Sequence, residues 1–481
     1  MRLRKLFVLL HRWLGVFFCL LFAMWFLSGI VMMYWSYPEV TMADRLARAE
    51  ELEVSNIRVS AAQAAEQLGE RTRPNQASLE MFDGRPAYRF RIGRAQKLVY
   101  ADTGEPIGEL STEAARKIAA KWTGRPEREE RFEGTIDTED QWTVSGAFRA
   151  LRPLLKFSWP NGDEVYVSPA TAQVEQHTTR ADRIAAYFGA IPHWMYFTPL
   201  RKNGPLWSRV VIWASGIATV AAILGEIVAL WISLPAKRIP YAGMKRWHTL
   251  FGLCFGAIAS TWAFSGMLSM EPFPIEGDDD VGPAIAKTLR GARFDLAAFG
   301  AKTPRQALEQ MGSAIRVKQL EFGMFAGEPV YTARESPDKL RIVPVNGDPM
   351  AEFDRRRILD LVANAAAPTA IAETRVVTQY EAYYLDRERR RPLPVLFVRL
   401  KDPQSSMYYI DPRTARIVES YGSGGRWNRW LYHGFHSIDL PWLYAHRPAW
   451  DIVVLALLLG GSALCITSVI LAGRFLRRTL R

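Results

Sequence analysis

Four stretches of the chain are apolar for long enough to cross a hydrocarbon core of roughly 30 Å as helices, which takes about 20 residues. They run from Phe7 to Trp35, Val210 to Leu234, Thr249 to Met270 and Asp451 to Gly473. The first is too long and too rich in Phe, Trp and Met for a signal-peptide core, and no small-x-small cleavage site follows it before Pro38. It is expected to be retained as a helix.

Two long polar regions separate these stretches, and in both an Ala-rich helical pattern is followed by short strands. In the first, Val59 to Leu68 precedes Pro86 to Ile107, and Thr112 to Thr123 precedes Phe157 to Gln176. In the second, Pro304 to Met311 precedes Pro329 to Met350, and Arg355 to Ala366 precedes Val395 to Val418. Runs such as Tyr100-Ala101-Asp102-Thr103-Gly104, Tyr166-Val167-Ser168-Pro169 and Tyr409-Ile410-Asp411-Pro412 end on turn-forming residues, as hairpins require. Each region therefore reads as two α+β modules. Glu271 to Pro283 reads as a linker, with Asp278 to Asp280 a solvated loop in preference to a metal site.

With 49% hydrophobic and 23% charged residues, the 481-residue chain is a composite of membrane and water-facing parts. Basic residues orient it. Met1 to Arg12, Ser233 to Trp247 and Gly473 to Arg481 carry 12 Lys or Arg and no Asp or Glu, which places them in the cytoplasm. Because the net charge of the whole chain is also +12, the rest sums to about zero, and the basic balance reports topology, with no nucleic-acid partner implied. Cys19, Cys254 and Cys465 all fall in the apolar stretches, so neither a disulfide framework nor a cysteine metal site is available.

The first and third stretches align without a gap: His11 and Gly15 with His248 and Gly252, Trp25 with Trp262, and Ser28-Gly29 with Ser265-Gly266. A second register joins the approaches to stretches two and four. His193 lies 14 residues before Trp207 and His436 lies 14 before Trp450, with Val210-Val211 matching Val453-Val454. The reading is a tandem duplication of one unit, with parallel repeats about an axis along the membrane normal.

These residues carry a resemblance. His11-Arg12-Trp13-Leu14-Gly15 with Ser28-Gly29, its copy Trp247-His248 with Ser265-Gly266, and the modules closing on Tyr-x-Asp/Ser-Pro/Thr resemble the PepSY-associated transmembrane family over nearly the whole chain. The resemblance implies a bacterial inner-membrane protein, of a kind linked to iron acquisition. Its PepSY modules would lie in the periplasm, and its helix histidines would bind b-type haem for ferric-siderophore reduction. The expected fold is thus membrane α-helical, with four transmembrane helices in a pseudo-twofold duplication and two periplasmic α+β PepSY-like domains. The expected divisions are 1–36 (cytoplasmic N-terminus and first helix), 37–207 (first periplasmic domain, two modules), 208–234 (second helix), 235–247 (cytoplasmic loop), 248–270 (third helix), 271–449 (second periplasmic domain, two modules), 450–473 (fourth helix) and 474–481 (cytoplasmic tail). The chain departs from the common His-x-Gly entry to the closing helix, having Pro192-His193-Trp194 in one half and His433-Gly434-Phe435-His436 in the other.

Only 7 histidines occur, and His11, His193, His248 and His436 occupy matched positions. An ionisable group at the membrane faces protein or cofactor by default, and imidazole is a common axial ligand of haem iron. Opposite ends of the helices are roughly 30 Å apart, so one iron pairs His11 with His248 and another pairs His193 with His436 or His433. Two haems b would then make an electron path across the bilayer. The plain alternative is that all of them are interfacial structural residues. Gly15 and Gly252 are expected to admit a flat macrocycle, whereas Ser28-Gly29 and Ser265-Gly266 read first as packing devices. His177 and His446 have no counterparts and are expected at the surface.

Other features are read more plainly. Glu226 either carries protons or snorkels to the interface. Tyr34, Trp35, Trp207, Trp231, Trp247 and Trp450 are expected in an interfacial belt. Arg387 to Arg391 is either a solvated face or an attractor for an anionic iron chelate. The chain has no dinucleotide loop, no P-loop and no nucleophile with a placed base. Electrons must then come from a cytoplasmic reductase or from quinol, and go to a periplasmic ferric siderophore or other acceptor. A haem-free scaffold whose PepSY modules bind a periplasmic protease or envelope protein is the alternative. A siderophore or metal transporter is disfavoured because the helices are poor in polar residues and unbroken.

Overall fold

The computed structural model describes residues 2–69, 73–93, 95–236, 238–273 and 281–480. The expectation for Asp278 to Asp280 lies outside these residues. Among the described residues four helices, Arg2–Met32, Gly204–Ala236, Gly243–Leu268 and Arg447–Thr479, are long and apolar enough to span a membrane. The shortest has 26 residues, about 39 Å at 1.5 Å per residue, so each outreaches the hydrocarbon core. All four begin before the apolar stretches read from the sequence; the second and fourth also run past their far ends, whereas the first stops at Met32 and the third at Leu268.

The helices form an antiparallel bundle in which the second packs most extensively on the third, and the fourth on the first and third. Phe17, Leu20, Trp213 and Ile452 point outward and are exposed, as side chains facing lipid would be. Between the helices Phe26, Ala259, Val454, Leu458 and Cys465 are buried together. Glycines make this approach possible: a Cβ on Gly461 would lie 1.9 Å from the Phe26 ring, and one on Gly460 would lie 2.2 Å from Phe255.

The two polar regions both emerge from one end of the bundle and, among the described residues, fold into fifteen strands. They are β1 (Gln76–Phe82), β2 (Arg85–Ile92), β3 (Ala95–Tyr100), β4 (Pro106–Ile107), β5 (Arg131–Ile136), β6 (Leu154–Ser158), β7 (Glu164–Ser168), β8 (Gln173–Thr178), β9 (Gln319–Phe325), β10 (Glu328–Arg334), β11 (Leu340–Pro344), β12 (Ile371–Val377), β13 (Val395–Leu400), β14 (Met407–Asp411) and β15 (Arg416–Tyr421). Strands β5 to β8 and β12 to β15 each make a four-stranded antiparallel sheet. Helix Thr112–Thr123 covers the first of these through Ala115, Ala119 and Ala120, and Arg355–Ala366 covers the second through Ile358, Val362 and Ala366. Ser111 and Asp354 cap their N-termini by accepting backbone N–H bonds.

The remaining strands do not stay within their own regions. They form one seven-stranded sheet, β11-β10-β9-β1-β2-β3-β4, in which β1 and β9 pair antiparallel with Leu79 opposite Leu320. Both leucines are fully buried, in a core that also takes in Tyr88, Phe90, Phe322 and Tyr331 from the two regions. The two polar regions are therefore stitched together through backbone hydrogen bonds.

Candidate functional site

Each spanning helix that opens a polar region carries a histidine near one end and a serine near the other, and the helix rise separates His11 from Ser28 by about 25 Å. At the first level the imidazoles of His11 and His248 lie 6.2 Å apart between ring centres, with planes inclined by 24°. At the second, His193 and His436 lie 5.9 Å apart with planes at 69°. The ring that meets His193 is that of His436, and His433 stands aside from the pair. It is exposed, with its ring against Tyr432, although it borders the same cavity.

The proton on each ring is assigned by its neighbours. His193 Nδ1 lies 3.2 Å from the Trp25 carbonyl and 3.0 Å from Ser28 Oγ, whose hydroxyl donates to that same carbonyl. A carbonyl only accepts, so Nδ1 carries the hydrogen and Nε2 keeps a lone pair. His436 repeats the arrangement, with Ser265 Oγ 3.0 Å from Nδ1 and donating to the Trp262 carbonyl. His11 Nδ1 donates to the Ala221 carbonyl at 3.2 Å. His248 Nδ1 donates to Thr467 Oγ1 at 3.3 Å and towards Ser468 Oγ at 3.4 Å, both hydroxyls being committed as donors to the Leu464 carbonyl. Among the described residues no hydrogen bond reaches any of the four Nε2 atoms. Enclosure by the protein lowers the pKa of His193 to about 4 and that of His436 to about 3, so both are neutral imidazoles at pH 7.

The second pair borders a cavity of about 600 Å³, within the range of cofactor sites. Its deep wall is apolar, with Phe22, Trp25, Phe26, Ala259 and Leu458, while Asp386, Arg387, Arg391 and Asp439 stand at its outer side. Gly29 and Gly266 form part of the lining. A Cβ there would meet the Cε1 of His193 at 3.7 Å and of His436 at 3.8 Å.

The turns that present the outer histidines are alike and are braced. Trp207 Nε1 donates to the carbonyl of Trp194 at 2.9 Å, and Trp450 Nε1 to those of Ser437 and Ile438 at 3.1 Å. Trp262 adds a bond to the Phe435 carbonyl at 3.0 Å. Two residues beyond each histidine, Met195 and Ile438 have φ of 54° and 51°. Left-handed backbone is uncommon for a non-glycine residue and an outlier for a β-branched one, and it clusters at functional sites. His436 also follows a π-helical segment, Arg429–Gly434.

Several positions differ from the sequence-based expectation. Trp450 is not in an interfacial belt but 3% exposed, packed on Tyr444, because its indole is committed to the His436 turn. Tyr34, Trp35, Trp231 and Trp247 are exposed at helix ends. His446 is exposed, whereas His177 is half-buried on β8, edge-on to Trp122. Strand pairing turns its side chain towards that helix. Gly15 has open space beside its Cα and a Cβ on Gly252 would meet Leu464 at 4.0 Å, while a glycine outside the sequence reading, Gly225 on the second helix, lies against His11, where a Cβ would be 2.5 Å from Cε1. Sequence signals for Gly225 existed in hindsight: it stands 18 residues past Trp207, as Ser468 stands 18 past Trp450. Glu226, beside it, packs against Gly256 and makes no ion pair among the described residues.

The sequence model of the PepSY-associated TM region matches residues 8–316. That span holds His11, His193 and His248 together with most of the first spanning helix and all of the second and third. No curated protein matches the chain.

Proposed function

From the premise that this chain belongs to the PepSY-associated TM region family, we propose that it is a di-haem transmembrane electron-transfer protein of a bacterial inner membrane. Both termini would be cytoplasmic, the strand-rich domains periplasmic, and the two halves copies of one ancestral unit. When bound, b-type haem supplies one-electron chemistry. One electron, taken from quinol or a cytoplasmic reductase, reduces a ferric chelate to its ferrous form, and a ferric siderophore is the acceptor that suits an iron-acquisition role.

A single observation carries the reading: two imidazole pairs, each with Nδ1 held by the protein and Nε2 without a hydrogen bond among the described residues, at the spacing a shared iron needs. A metal–imidazole bond is about 2.0 Å and the ring nitrogen lies about 1.1 Å from the ring centre, so rings on opposite faces of one iron have centres about 6 Å apart. The observed 6.2 and 5.9 Å fit. Two imidazoles fall short of the four protein ligands of a structural zinc site, but they suffice where a macrocycle brings its own four nitrogens. Among the described residues no group of three or more His, Cys, Asp or Glu is placed to hold a bare ion.

The protein's own part is then clear. His11 and His248 would hold the inner iron, and His193 and His436 the outer one. Ser28, Ser265, Thr467 and the Ala221 carbonyl fix the tautomers and ring orientation. The reduced-minus-oxidised visible spectrum of the purified protein tests this. The expected result is two b-type haems in the wild type and one each in His11→Ala and His436→Ala; a colourless, folded wild type would leave the scaffold as the better account.

A further inference from the structure

We infer that Arg387 clamps the carboxylate edge of the cofactor held between His193 and His436, an inference that rests on the haem reading above. The cavity has a polarity gradient. Its depth is lined by Phe22, Phe26 and Leu458, and charge appears only on its outer side. A flat apolar ring with two carboxylates on one edge has that same gradient, and it enters in one orientation, with the carboxylates outward.

Charge accounting singles out the residue. Asp386 is satisfied by the backbone N–H groups of Glu388, Arg390 and Arg391 at 3.0, 2.6 and 2.8 Å. Asp439 is held by Arg429 at 2.9 Å, and Arg391 pairs with Glu419. Arg387 alone among the arginines lining the cavity has no carboxylate partner among the described residues. Its guanidinium donates to the Met33 carbonyl at the end of the first spanning helix and lies 5.9 Å from the Trp450 ring. A guanidinium has five N–H donors in a planar fork, and those not used on Met33 remain for a bidentate carboxylate bond. The Asp386 bonds fix the loop that carries it, so the fork is set in place before the ligand arrives.

A helix-capping role alone would touch stability and nothing else, so the test reads the cofactor. Arg387→Gln and Arg387→Lys are made in the full-length protein, and haem content, haem affinity by titration, and midpoint potentials are measured. With Gln, the outer haem is expected to bind about tenfold more weakly, the worth of one charge-assisted hydrogen bond. Its potential should move negative as its carboxylates lose their counter-charge, while the inner haem is unchanged. Lys should restore the potential but not all of the affinity, because it lacks the fork. A wild type with two haems whose Gln variant keeps both, at unaltered affinity and potential, overturns the clamp and leaves the haem reading standing. A wild type without haem overturns the reading itself. Should the Gln variant fail to fold, a Lys variant of native affinity overturns the clamp.

Discussion

His193 and His436 approach to 5.9 Å between ring centres although they are 243 positions apart, and each hands its Nδ1 hydrogen to a serine on the helix that opens its own half, Ser28 or Ser265. Because the same serine hydroxyl also donates to a helix carbonyl, the bond polarity at both sites is fixed by backbone.

Removal of one serine is therefore expected to weaken the outer site without abolishing it. Ser28→Ala leaves His193 the Trp25 carbonyl at 3.2 Å, so haem affinity should fall towards the lower end of the 10–100-fold range of such partners, about tenfold. Titration of the variant with haemin measures this. An unchanged affinity would mean that the serine is a packing residue only.

Gly225→Ala should act on the inner site alone. A methyl group 2.5 Å from His11 Cε1 must displace the ring. The variant is expected to lose one haem from its spectrum and retain the other, with the outer potential intact. Retention of both would show that the ring has another place to go.

Trp450→Phe removes the indole bonds to the Ser437 and Ile438 carbonyls while keeping an aromatic ring in the core. About 1 kcal/mol of local stability is at stake when these partly buried carbonyls lose their donor. The variant should bind the outer haem less tightly and melt earlier, as differential scanning fluorimetry would show; Trp207→Phe should do the same from the other half.

In the outer domains, Glu335 has its pKa lowered to about 2 by a bond from Lys339 and the Arg316 amide. A depressed carboxylate adds stability above its unfolded value of 4.5 and loses that addition as pH falls towards 2. Glu335→Gln should flatten the acid-side decline in that window. A Gln variant with the wild-type pH profile would count against the pair.

The spanning helices were legible because 20 apolar residues have few other destinations, and the meeting of His11 with His248 was legible because one spacing occurs twice. What failed to show in the sequence has no local signature. β5 and β12 are edge strands with mostly exposed residues, so their alternation is weak. The pairing of β1 with β9 joins segments more than 200 residues apart. Trp450 looked like a belt residue because composition near a helix end cannot tell lipid from a neighbouring turn. Gly225 was hidden in a helix rich in small residues, where only its distance from Trp207, matched by that of Ser468 from Trp450, sets it apart.

The strand junction at Leu79 and Leu320 sets what kind of machine this architecture can be. Two halves free to rock would alternately open a path to each side, as a carrier must. Here rocking would have to tear a continuous sheet and the buried core beneath it. The proposed electron path, unlike a path for solutes, needs no opening door, only fixed stepping stones.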